Sequence, residues 1–209
     1  PQMRALLMRS AIGEVRQRLQ SGNSKEMIAA LDIIRDSRLP VSPADVEPLV
    51  LSPDDEICRR GLELCNELRL TLPPELVEPL LRPDRAPAVL REALRLLTGV
   101  HDQRFVAAVS PFVHHEDLGV ARLALMWLKQ VGGDATALEV QRQLKDDLSS
   151  PIAEKRARAA YISGGYSIEP GLDLARMVHD PSQAVRQNAV QSMGQIGSPE
   201  YIDPLIDCL

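Results

Sequence analysis

The sequence predicts an all-α chain, an α-solenoid of about six stacked antiparallel helix pairs. Three observations carry that prediction. A short apolar-proline motif returns about every 31 residues, and a second element with helical spacing returns at the same interval, out of phase with the first. No stretch offers the β-branched alternation of a strand. The first motif is Val46-Glu47-Pro48-Leu49-Val50, which comes back as Val77-Glu78-Pro79-Leu80-Leu81, as Val109-Ser110-Pro111-Phe112-Val113 and as Ile202-Asp203-Pro204-Leu205-Ile206. Its first two steps are 31 and 32 residues, and the last, 93, is three periods of 31.

The second element defines the first helix of each pair. Its clearest copy carries Val185, Ala189, Met193 and Ile196, behind Asp180-Pro181. Matching residues are Val120, Ala124, Leu128 and Val131; Val89, Ala93, Leu97 and Val100 behind Asp84; and Ile57, Gly61, Cys65 and Leu68. Fainter copies are Ala30 with Ile34, and Lys155, Arg156, Ala159 and Gly164. Apolar residues at i, i+4, i+8 and i+11 line one helical face, and a small residue at i+4 lets a neighbouring helix approach. Asp-Pro or Ser-Pro ahead of the element is a start signal, because the oxygen can cap free N–H groups. In the second helix the proline is tolerated only within the first turn, which predicts that this helix begins just before the motif. Gly132-Gly133 and Gly164-Gly165 read as turns between paired helices. The array spans residues 24–209. Residues 1–23 read as a capping or connecting helix with Leu7, Ala11, Val15 and Leu19 on its apolar side.

Composition bounds the function. The 209 residues are 44% apolar and 25% charged, with 24 basic against 29 acidic side chains and net charge −5. The longest apolar run, Leu123 to Leu128, is far below the roughly 20 residues that span a bilayer. No charged-then-apolar leader opens the sequence. The expected location is the cytoplasm, or the cytosolic side of a larger membrane protein. Cys58, Cys65 and Cys208 stand in no metal-binding spacing and read as reduced, buried thiols. Six aromatic residues and an acidic balance argue against nucleic acid as the partner. Pro1 in place of an initiator methionine, and an array that stops within a second helix, lead to the expectation that the polypeptide is longer and attached to other domains.

The segment from Asp180-Pro181 through Val185-Arg186, Ala189, Met193-Gly194-Gln195-Ile196-Gly197 to Ser198-Pro199-Glu200 resembles a HEAT repeat, of the short HEAT-like type also found in phycobilisome lyases. The resemblance implies a right-handed superhelix in which second helices line the concave side. The residue after the leading Val or Ile then faces a partner: Glu47, Glu78, Ser110, Gln141, Asp173 and Asp203. Four of these six are acidic, which favours a basic or amphipathic protein segment. A helical hairpin of 31 residues cannot bury its apolar face alone, so neighbours stack in series. The expected function is a non-enzymatic protein–protein interaction scaffold or regulatory module. Similar HEAT-like segments are attached to bacterial transporters and signalling proteins. An accessory lyase-like protein handling a tetrapyrrole cofactor is the alternative, with a nucleic-acid binder behind it.

No residue is assigned a catalytic, cofactor or metal role. His114-His115-Glu116-Asp117 is the densest ligand-like cluster, but it falls at a turn where Glu116 and Asp117 read as caps. His179-Asp180 reads the same way. The HEAT-type enzyme deoxyhypusine hydroxylase would need several His-Glu pairs on helices, and only His115-Glu116 occurs. There is no GxxxxGK[ST] or GxGxxG loop. Arg59, Arg91, Arg122, Arg156 and Arg186 read as a structural ladder pairing with acids, as Arg186 could with Asp180. Trp127 reads as core. Lys145 to Pro151 stands in the one enlarged spacing and reads as an insertion in a loop.

Overall fold

The computed structural model describes residues 2–166 and 174–206, and the side chains of these outside 2–9, 134–137 and 166. It consists of α1 (Gln2–Leu19), α2 (Ser24–Ser37), α3 (Pro43–Val50), α4 (Asp55–Leu68), α5 (Pro74–Val77), α6 (Pro87–Leu97), α7 (Val106–Val109), α8 (Leu118–Val131), α9 (Gly133–Leu148), α10 (Ala153–Tyr166), α11 (Leu174–Met177), α12 (Gln183–Ile196) and α13 (Ile202–Ile206), joined by short 3₁₀ turns. No strand occurs among the described residues.

The first helices α2, α4, α6, α8, α10 and α12 begin at steps of 31, 32, 31, 35 and 30 residues. All but the shorter α6 are 14 residues long. At their matched small position stand Ala30, Gly61, Ala93, Ala124, Ala159 and Ala189, and the alanines are at most 1% exposed. A Cβ on Gly61 would lie 2.7 Å from Leu49 Cβ, so α3 rests directly on the α4 backbone. One turn further on, Ile34, Cys65, Leu97, Leu128 and Met193 are buried as well.

Five of the six first helices are entered through the same small device. The N–H of the N-cap residue donates to a side chain two residues earlier: Asn23 to Ser21 Oγ and Asp54 to Ser52 Oγ at 3.2 Å, Asp117 to His115 Nδ1 at 3.0 Å, Ile152 to Ser150 Oγ at 3.2 Å and Ser182 to Asp180 Oδ1 at 2.8 Å. The Ser-Pro and Asp-Pro signals therefore act one step earlier than expected. Asp180 and Ser52 fix the loop; Asp54, two residues after Ser52, and Asp117 cap the helix N–H groups, whereas Ser182 makes no side-chain cap. Ala86 departs from the pattern: its N–H donates to Asp55 Oδ2 at 3.3 Å.

The second helices correct the sequence expectation for proline. Pro79 and Pro111 do not sit in the first turn of a second helix. α5 and α7 run for a single turn, and the chain tightens into 3₁₀ turns at Glu78–Leu80 and Ser110–His114. Proline has no N–H for the carbonyl four residues back and its ring crowds that carbonyl, so it takes the second position of a new turn. Pro48 lies inside α3. In α9, Arg142 occupies the proline position and the helix continues unbroken for 16 residues. The enlarged spacing is thus extra helix, with Lys145 to Leu148 in α9 and only residues 149–152 in the connecting loop.

The chain forms two units, residues 1–100 and 101–209. In the first, α1 packs on α2 and α3, α2 and α3 on α4, and α4 on α6. Arg16 Nε lies 2.7 Å from Asp45 Oδ1, and Asp45 also accepts the Ser42 N–H at 2.8 Å in a capping box. In the second unit, α8 packs on α9 and α10, and α10 on α12. Leu125, Leu144, Ala160, Leu174 and Met193 belong to its continuous core. Trp127 is 1% exposed and meets Phe105 edge to face with centroids 6.5 Å apart, the core role its sequence context implied.

Gly164 and Gly165 are not a turn. They lie within α10, where a Cβ on Gly165 would come 2.4 Å from Arg122 Nε, and one on Gly164 would come 2.6 Å from Ser192 Oγ. These glycines let α10 accept its neighbours at close range. Gly132 does end α8, and Gly133, at φ 72°, opens α9.

Candidate interaction surface

Of the six residues expected to face a partner, Glu47 on α3 and Glu78 in the following turn are exposed in the first unit. Their neighbours Val46 and Val77 are buried, which fixes both helices so that these carboxylates point outward. Neither side chain has a hydrogen bond or ion pair among the described residues. In the second unit Asp203 on α13 is exposed, Gln141 on α9 is half-buried, and Ser110 donates its hydroxyl to Val106 O at 2.6 Å, turned back on its own helix. Asp173 lies outside the described residues.

The arginines are engaged elsewhere, and they form two registers rather than one. Arg59, Arg91 and Arg122 share one register, and Arg156 and Arg186 stand one position earlier in their helices. Arg59 Nη2 reaches Glu56 Oε1 at 2.8 Å and Nη1 reaches Glu63 on its other side. Hydrogen bonds from Arg59 and Arg60 hold the Glu56 carboxyl down to about 2. Arg122 lies over the Tyr161 ring at 5.5 Å. Arg156 binds Asp180 with both Nε and Nη2. Arg186, expected to pair with the Asp180 carboxylate, bonds instead to the carbonyls of Asp180 and Pro181 at 2.8 and 3.1 Å, because the carboxylate is taken by Arg156. Arginines thus pair with Glu56 and Glu63 on α4 and also with Asp45 on α3 and Glu139 on α9, whereas Glu47 and Glu78 have no ion pair among the described residues.

Other expected groups fall into place as packing and caps. Asp117 Oδ1 accepts the Val120 N–H at 2.9 Å, and His115 belongs to the same turn. No cluster of three or more metal-ligating side chains occurs among the described residues. Burial raises the Cys65 thiol to about 12 and pushes the Cys58 thiol up as well, so both stay protonated at neutral pH. No helix is long and apolar enough to cross a membrane, among the described residues.

What sequence reasoning missed is a cavity of about 160 Å³ in the second unit, between the 110–114 turn, α8, α9 and α10. Val113, Leu125, Val140, Leu144 and Ile162 form its apolar wall, and His114, Glu139, Gln143, Asp147 and Arg158 its polar part. The 35-residue spacing, at a repeat with Arg142 in place of the proline, was the signal that could have marked it.

Helices recurring in pairs at a fixed interval, each first helix packed on the next within a unit, define an all-α helical repeat protein. The family model for the PBS lyase HEAT-like repeat matches residues 185–209. The last helix pair is therefore a HEAT-like repeat, and the earlier pairs share its period and plan. Crystal structures of two engineered proteins are similar to the chain. One is 17% identical with TM-score 0.39, covering 79% of this chain and 84% of that one. The other is 16% identical with TM-score 0.43, covering 95% of this chain and 61% of that one. No curated protein matches.

Proposed function

We propose that this chain is a non-enzymatic interaction module that holds a basic or amphipathic protein segment against the acidic residues of its second helices. The observation that carries the reading is the pair Glu47 and Glu78: the same repeat position in consecutive repeats, exposed, and without an ion pair among the described residues. Holding two like charges unpaired on consecutive second helices is unfavourable for the isolated protein and favourable once a cation arrives. Buried, protonated thiols fit a module that works by contact rather than by covalent chemistry. Replacing Glu47, Glu78 and Asp203 together by lysine should sharply reduce recovery of the native partner in affinity capture, with the fold intact by circular dichroism. Unchanged recovery would refute the reading.

A further inference from the structure

We infer that the cavity beside α9 is an anchor site for one bulky apolar side chain of a partner peptide, carried next to a lysine or arginine. The inference rests on the interaction-module reading and deepens it, by assigning a second contact with its own chemistry. The cavity arises from the sequence. Where α5 and α7 give way to 3₁₀ turns at Pro79 and Pro111, α9 has Arg142 at that position and runs on for 16 residues, placing Val140, Gln143, Leu144 and Asp147 in one wall opposite Val113 and Ile162.

Size selects the occupant. The volume of about 160 Å³ is close to that of an engineered apolar cavity of ~150 Å³ that takes up benzene, and it lies below the ~300 Å³ at which small-molecule sites begin. It holds one phenyl ring or branched aliphatic side chain, and it is open to solvent on one side, so that the side chain can be delivered by a peptide backbone outside. Its floor is apolar: Leu125, Leu144 and Ala159 are at most 4% exposed.

Charge selects the neighbour of that side chain. Arg158 is already committed, with Nη1 on His115 O at 2.8 Å and Nη2 on Val113 O at 2.9 Å, closing the end of the 110–114 turn. Glu139 shares its charge with Arg142 at the rim. Asp147 has no ion pair among the described residues and accepts only the Gln143 amide at 3.3 Å. Arg158 keeps its positive charge, which acts on Asp147 within the same lining, but both of its Nη groups are turned to carbonyls, so the Asp147 carboxylate is the group left with hydrogen-bonding capacity for a cation beside the anchor.

The test uses the whole chain with labelled methyl groups, titrated with an acetylated, amidated pentapeptide bearing one phenylalanine between two lysines. Saturable shifts are expected at the methyls of Val113, Leu125, Val140, Leu144 and Ile162. Replacing the peptide lysines by alanine should weaken binding about threefold, and replacing them by glutamate should weaken it further. Val140→Phe fills the mouth and should abolish the shifts. Asp147→Asn, at a half-exposed position, should leave phenylalanine uptake and remove the preference for lysine. A Glu47→Lys/Glu78→Lys chain should bind this peptide as before, so loss of the second-helix reading and loss of the anchor site are told apart. The inference is overturned by an absence of shifts at these methyls, by equal or tighter binding of the glutamate peptide, which would make Arg158 the attracting group, or by a lysine preference that survives Asp147→Asn.

Discussion

Arg156 and Asp180 tie two consecutive helix pairs together: Arg156 Nε lies 2.7 Å from Asp180 Oδ2 and Nη2 lies 2.9 Å from Oδ1, while its Nη1 reaches Ser150 O at 2.8 Å. Asp180 in turn fixes the loop before α12 through the Ser182 N–H. One carboxylate therefore sets the spacing between α10 and α12 and the entry to α12.

This arrangement predicts a pH dependence. The Arg156 hydrogen bonds, with the Ser182 N–H adding to them, hold the Asp180 carboxyl below its ordinary 3.8 against the opposing effect of burial. A carboxylate whose folded value is depressed adds stability that is fully present above its unfolded value and is lost as pH falls through the folded one. Asp180→Asn should lower Tm by several degrees at pH 7, with a difference from the parent chain that shrinks below about pH 4. A thermal melt series across pH checks both parts.

Two glycine substitutions should move stability in opposite directions. Gly61→Ala places a Cβ against Leu49 Cβ on α3 and should destabilise by about 1–3 kcal/mol, the usual cost of overpacking. Gly13→Ala, within α1 and with nothing inside 4 Å of the added carbon, should stabilise by about 0.5–1 kcal/mol through helix propensity. Urea unfolding of the two variants measures the contrast.

Arg38 and Arg69 end α2 and α4 in the left-handed region, with φ 47° and 53°, where Gly197 ends α12 at 65°. A side chain there is disfavoured by about 1–2 kcal/mol. Glycine relieves that strain at the expense of greater freedom in the unfolded chain. Arg38→Gly and Arg69→Gly should each stabilise by about 0.5 kcal/mol net, additive in the double variant, as read by denaturant midpoints.

Restoring the repeat motif in α9 should be damaging. Arg142→Pro removes an N–H and crowds the Leu138 carbonyl in the middle of a 16-residue helix, and should destabilise by about 3 kcal/mol and collapse the cavity wall. Hydrogen exchange should show faster amide exchange across 138–148.

The repeat was legible because it is written in small and apolar residues. Ala93, Ala124 and Ala189 at i+4, and Leu97, Leu128 and Met193 at i+8, recur because within each unit the first helices pack on one another at close range. The prolines misled because their tolerance was judged against an α-helix alone, whereas Pro79 and Pro111 begin a 3₁₀ turn. Gly164 and Gly165 read as a turn because glycine serves both chain reversal and close contact, and only the positions of Arg122 and Ser192 decide between them. Asp180 carried two roles of which the sequence revealed one. Glu47 and Glu78 were found by register, but that they lack ion-pair partners shows only in the folded chain. The cavity depends on how far α9 continues, a length that shows in the sequence only as four additional residues.

The most direct measurement of the central claim is the affinity of a fluorescent, lysine-rich amphipathic peptide for this chain, by anisotropy at low and physiological salt, beside the Glu47→Lys/Glu78→Lys chain. Saturable binding that weakens with salt and falls about tenfold on double reversal is the predicted result. Binding equal in the two chains, or none to either, would contradict the assignment of the second-helix carboxylates as the recognition surface.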